Sequence, residues 1–128
     1  TKIISGHLVS YREQFSESNE GLILDWPSRY SLRGWLVSMK SGGAIRPHIH
    51  ENGWLSGSIY INVPERADAD SGNLVVAEDS SELTGRQKSI KVETGSLCLF
   101  PASLLHHTIP FNSSKNRIVL AFDMIPNT

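Results

Sequence analysis

The strongest constraint on the fold is a rhythm of short apolar runs separated by turn residues, with no long helical period between them. Residues 30–40 are strand-like, with Trp35, Val37 and Met39 on one face, because successive side chains of an extended chain point to opposite sides. Ser41-Gly42-Gly43 forms a turn, and residues 44–50 make the next strand. After Glu51-Asn52-Gly53, residues 54–63 carry the clearest strand pattern, in which Ile59, Ile61 and Val63 alternate with Ser58, Tyr60 and Asn62. A polar loop at 64–71 is followed by strands at 72–77, 88–92, 96–100, 105–110 and 117–125. Residues 78–86 are a polar connection with room for a helical turn.

From Gly34 onward this pattern predicts eight strands, and so an all-β fold, a double-stranded β-helix of the jelly-roll or cupin-like kind. Ahead of it lies a short N-terminal extension. There residues 2–11 read as a strand, residues 12–19 as a loop or short helix, and residues 22–27 as an apolar burst stopped by Pro27. The 128 residues predict one domain with its core at about 33–125, enough to bury a core without staples. The missing initial Met suggests excision from a longer protein.

Twelve basic against 13 acidic side chains, with no lysine or arginine cluster, argue against a nucleic-acid partner. No apolar stretch reaches the roughly 20 residues of a membrane helix, and no signal-peptide pattern opens the chain. The single Cys98, inside an apolar run, cannot form an internal disulfide. It is expected to pack in the core of a protein from a reducing, cytoplasmic compartment.

The chemistry is concentrated in Pro47-His48-Ile49-His50-Glu51. On a strand, His48 and His50 share a face and can grip one ion, and imidazole is a common ligand for Fe, Zn, Cu and Ni. A third ligand is available from His106 or His107. Adjacent strand residues face opposite ways, so only one can join the pair, and the spacing from Pro101 selects His106. His48 and His50 then fall on the second strand and His106 on the seventh, which are neighbours in a double-stranded β-helix. His7 is read as an ordinary surface or hydrogen-bonded histidine.

Four segments, Arg46 to Gly57, Ser71-Gly72-Asn73-Leu74, Leu99 to His106 and Arg117 to Asp123, together resemble the 2-oxoglutarate/Fe(II) oxygenases. The resemblance is to a branch with His-x-His, Trp-Leu-Ser-Gly, a distal His and Arg-x-x-x-Ala-Phe-Asp. It implies Fe(II) bound by His48, His50 and His106 as metal-ligating and catalytic residues, with 2-oxoglutarate as cosubstrate and O₂ as oxidant. It further implies Arg117 on the far carboxylate of 2-oxoglutarate, with Tyr60 and Asn62 lining the cosubstrate pocket. The implied reaction is hydroxylation of a small-molecule or peptide substrate, with release of succinate and CO₂.

One position departs from that pattern. His50 stands where most of the superfamily has Asp or Glu, and three neutral imidazoles leave more positive charge on the metal than two imidazoles and a carboxylate. Glu51 faces the opposite side, and Asp25, Asp68, Asp70 and Asp123 are not at ligand spacing. A cupin-type dioxygenase or isomerase fits the spacing of Gly42, His48, His50, Gly95, Pro101 and His106, but lacks the cupin glutamate and leaves Arg117 and Trp-Leu-Ser-Gly unexplained. A non-catalytic metal-binding or jelly-roll module is the third reading. The mouth near Trp54 and the acidic loops holding Glu65, Asp68, Asp70, Glu78, Asp79 and Glu82 are expected to favour a polar or cationic substrate.

Overall fold

The last strand shows how the sequence is sorted into layers. Along Arg117–Pro126, Arg117, Val119 and Ala121 line an internal cavity, whereas the intervening Phe122 and Met124 turn to the other side of the sheet. In the computed structural model, which describes residues 1–66, 68–77 and 86–127, this strand is β7. It is preceded by α1 (Lys2–Gln14), α2 (Gly21–Leu24), β1 (Tyr30–Met39), β2 (Leu55–Asn62), β3 (Leu74–Ala77), β4 (Gln87–Ile90), β5 (Leu97–Pro101) and β6 (His106–Thr108).

The strands form two antiparallel sheets, one ordered β1-β7-β2-β5 and the other β4-β3-β6. Tyr60 of β2, Leu74 and Val76 of β3, Phe100 of β5 and Val119 of β7 are buried together with Val92, so the core joins both sheets. This is the jelly-roll architecture that the strand rhythm predicts. No helix among the described residues is long and apolar enough to cross a membrane.

Part of the outer face of the larger sheet, around Leu55 and Met124, is covered by the N-terminal segment. Leu55 and Met124, opposite each other in the β2–β7 register, are fully buried against Leu8 of α1, with Ile4, Tyr11 and Trp26 packed around them. Trp54 belongs to this packing, and its indole N–H donates to the Leu22 carbonyl at 3.0 Å. It therefore ties the start of β2 to α2 instead of standing at the mouth of the barrel.

Two sequence expectations need correction. Residues 2–11 are helical, because Ile4, Leu8 and Tyr11 recur at the spacing of one helix face and all three turn toward the sheet. Residues 44–50 do not form a continuous strand. They run antiparallel beside β6 through an isolated His48–His106 bridge, with Thr108 donating to the Ile45 carbonyl and His50 to that of Ala102. Pro47 has no N–H to offer, which leaves the ladder interrupted. Seven strands therefore stand where eight were expected, among the described residues. Most of the 78–86 connection lies outside them.

Gly57 illustrates how closely the outer layer is fitted. A Cβ there would lie 2.2 Å from Cζ of Phe122, whose ring covers this glycine from β7. Gly57→Ala is expected to lower unfolding free energy by about 1–3 kcal/mol, the usual cost of overpacking a core. Chemical denaturation of the two proteins measures the difference.

Candidate metal centre

The site is assembled where the irregular 45–50 segment meets β6. His48 and His106 exchange both backbone hydrogen bonds, His48 N–H to His106 O at 3.0 Å and His106 N–H to His48 O at 3.1 Å. This pairing brings their imidazoles together, with ring centroids 4.2 Å apart. The two-residue spacing then sets His50 on the same side, its centroid 4.9 Å from that of His48 and 5.1 Å from that of His106. One nitrogen of each ring lies within 4.8 Å of the others.

Hydrogen bonds on the far side of each ring orient these nitrogens. His48 Nδ1 contacts the Arg46 carbonyl at 2.8 Å, and His106 Nδ1 contacts the Leu104 carbonyl at 2.9 Å. A carbonyl oxygen only accepts, so in both rings Nδ1 carries the proton. In the neutral rings Nε2 then bears a free lone pair. His50 Nδ1 is likewise engaged, donating to Asp123 Oδ2 at 2.8 Å, while Ser56 Oγ donates to Asp123 Oδ1 at 2.6 Å.

The consequence is a convergence of lone pairs. Nε2 of His48 and Nε2 of His50 are 3.1 Å apart, so both face the same small volume. Burial pulls the His106 imidazole down from 6.5 to about 4, and the neighbouring His48 and His50 push the same way against the Leu104 carbonyl and Asp123. His106 is thus neutral and able to ligate near pH 7. This donor set fits a divalent transition metal.

The same cavity holds Arg117 and Tyr60, on the inner faces of β7 and β2. Arg117 is 3% exposed, donates Nη2–H to the Gly72 carbonyl at 3.2 Å and lies over the Tyr60 ring at 5.3 Å. Its buried Nε has no partner, and no carboxylate pairs with it among the described residues. Gly72 adopts a positive φ of 73°, which glycine reaches at little cost, and this turn delivers its carbonyl to the guanidinium. Burial raises the Tyr60 phenol to about 12, with Arg117 acting in the opposite direction.

Other expected residues lie elsewhere. Asn62 sits at a register shift in the β2–β7 pairing, where its amide donates to the Asn116 carbonyl at 2.7 Å. His107 pairs with Val75 and borders the cavity outside the triad. Asp68 accepts three hydrogen bonds from Asp70 and Ser71, so its carboxylate organises its own loop. Glu78, Asp79 and Glu82 lie outside the described residues. Two contributors went unread in the sequence. Trp35 stacks on His50 with centroids 5.8 Å apart, and Asp123 stands directly behind that ligand. The signals were available, since Trp35 shares the inner face of its strand with Val37 and Asp123 ends the Arg-x-x-x-Ala-Phe-Asp segment.

A family model described as "Putative 2OG-Fe(II) oxygenase" matches residues 33–123, well over half of the chain and inclusive of His48, His50 and His106. The chain belongs to this family. Among solved structures it is similar to a prolyl-4-hydroxylase from Pseudomonas putida, at 16% identity and a TM-score of 0.63, over 84% of this chain and 58% of that one. It is similar also to a 2OG-Fe(II) oxygenase family oxidoreductase from Burkholderia pseudomallei, at 16% identity and a TM-score of 0.62, over 82% of this chain and 49% of that one. These likenesses show the shared fold, and the chain spans only about half the length of either protein. No curated protein matches the sequence.

Two outcomes are expected. Wild-type protein should take up one divalent transition metal and His48→Ala should not, as elemental analysis after loading and desalting will report. In metal-free protein, the unfolded chain takes up a proton at His106 near pH 6.5 while the folded chain resists until about pH 4. Metal-free stability should therefore fall as pH is lowered from about 6.5 to about 4. His106→Gln should lose this part of the slope in melting curves recorded at successive pH values.

Proposed function

We propose that this chain is the catalytic unit of an Fe(II)- and 2-oxoglutarate-dependent hydroxylase that releases succinate and CO₂. The observation that carries the reading is the buried guanidinium of Arg117, unpaired with any carboxylate among the described residues, in the same cavity as three convergent imidazoles. A buried cation is costly unless an anion meets it, and a planar guanidinium matches a carboxylate in two parallel hydrogen bonds.

His48, His50 and His106 would hold Fe(II). When bound, Fe(II) supplies the redox chemistry that couples oxidative decarboxylation of 2-oxoglutarate by O₂ to hydroxylation of a C–H bond. The chain's own residues bind and orient. Arg117 receives the C5 carboxylate, and Tyr60, protonated across the physiological range, flanks that cation with its ring. Trp35 and Phe100 pack against the His50 and His106 rings and restrict water around the ligands. Holding the reactants together is the protein's main contribution to rate. The substrate is assigned as a small molecule or a peptide side chain. It approaches along the open side of the cavity, where Trp35 is partly exposed.

Anaerobic titration of the Fe(II)-loaded protein with 2-oxoglutarate tests the reading. Wild type should show saturable binding, and Arg117→Gln should weaken it at least tenfold, within the roughly 2–5 kcal/mol lost when one partner of a buried charge pair is removed. Absence of a response in wild-type protein would overturn the assignment.

A further inference from the structure

The three ligands are not supported alike. His48 and His106 donate Nδ1–H to neutral backbone carbonyls, of Arg46 and Leu104, whereas His50 donates to the carboxylate of Asp123. His50 is also the residue standing where the family resemblance leads one to expect a carboxylate ligand. We propose that Asp123 is a positioning residue which, acting through His50, gives this imidazole the anionic character that a directly bound carboxylate would have brought to the metal. The inference rests on the metal triad assigned above.

The surroundings of Asp123 favour an electrostatic role. It is 8% exposed, and its partners among the described residues are the Ser56 hydroxyl and the His50 ring, with no lysine or arginine paired to it. A buried carboxylate with this company is stabilised by a cation close by. A metal on the far nitrogen of His50 is one imidazole away. The charge-assisted bond to Nδ1 raises the basicity of Nε2 and holds the ring in its ligating tautomer. Ser56 faces Asp123 directly in the β2–β7 register and occupies its other oxygen, so the carboxylate cannot turn away.

Zn(II) affinity, measured by competition with a chromophoric chelator, and the Fe(III)/Fe(II) potential together provide the test. Asp123→Asn keeps the shape and removes the charge. It should bind Zn(II) about 10–100-fold more weakly, the usual effect of losing such a supporting carboxylate. Its potential should be more positive, because the removed charge favours Fe(III). Ser56→Ala, which keeps the charge but frees one carboxylate oxygen, should lower affinity and shift the potential less than Asp123→Asn does. In Zn(II)-loaded wild type, the Nδ1–H proton of His50 should resonate furthest downfield of the three ligands, a readout that needs no variant to fold. Asp123→Asn with unchanged affinity and potential, or a His50 proton indistinguishable from those of His48 and His106, would overturn the role of Asp123 while leaving the triad intact. A wild type that takes up no metal would overturn both.

Discussion

The pairing of Ser56 with Asp123 across β2 and β7 governs the whole site, because side chains alternate along each strand and a slip of one residue would exchange the two faces. In the observed register Leu55 and Met124 face α1, while Ser56, Tyr60, Arg117 and Val119 line the cavity. The opposite register would turn Arg117 out of the cavity and the fully buried Met124 into it. Apolar contact with Leu8, Tyr11 and Trp26 on one face thereby specifies where the charges lie on the other. Trp-Leu-Ser-Gly shows this division within four residues. Trp54 and Leu55 bind the helices, Ser56 holds Asp123, and Gly57 gives way to the Phe122 ring.

This arrangement accepts a thermodynamic burden in the cavity. Arg117 and Asp123 are both buried and of opposite sign, yet they are not paired with each other. Arg117 instead lies over the Tyr60 ring and donates to the Gly72 carbonyl, contacts that partly offset desolvation without neutralising the charge. Its neighbours Tyr60 and Val119 belong to the core, so the Arg117 end of the cavity is built on packed strands. Stability is given up locally and recovered in the packed layers on either side.

How much of this was legible follows from which interactions are local. The triad could be read because His-x-His depends only on strand alternation, and the distal histidine on the order of strands in a common fold. The sheet strands from residue 30 onward were read for the same reason. Residues 2–11 were misread because Ile3, Val9 and other apolar residues outside the buried stripe blur the helical period, although Ile4, Leu8 and Tyr11 carry it. Trp54 was expected at the mouth and lies instead against the helices, since which face of a strand meets a helix depends on tertiary packing that no window of sequence contains. Asp123 lies 73 positions from His50, and only the β2–β7 register brings the two together.

The replacement of a carboxylate by His50 looks, in sequence, like a loss of negative charge from the metal site. In three dimensions a carboxylate is still present, one imidazole's width further out and joined to the His50 ring by a 2.8 Å hydrogen bond. Charge acts through a ring more weakly than by direct coordination, so such a site sits between a three-histidine centre and one with two histidines and a carboxylate. A dication at the triad and a dianionic cosubstrate on Arg117 would each reduce the other's desolvation cost within the same low-dielectric cavity. By linkage, bound metal and bound cosubstrate would raise each other's affinity by the same factor. Under the proposed reading, the contacts from the Ser56 hydroxyl through Asp123 to the His50 ring would bear on the metal and, through it, on the cosubstrate.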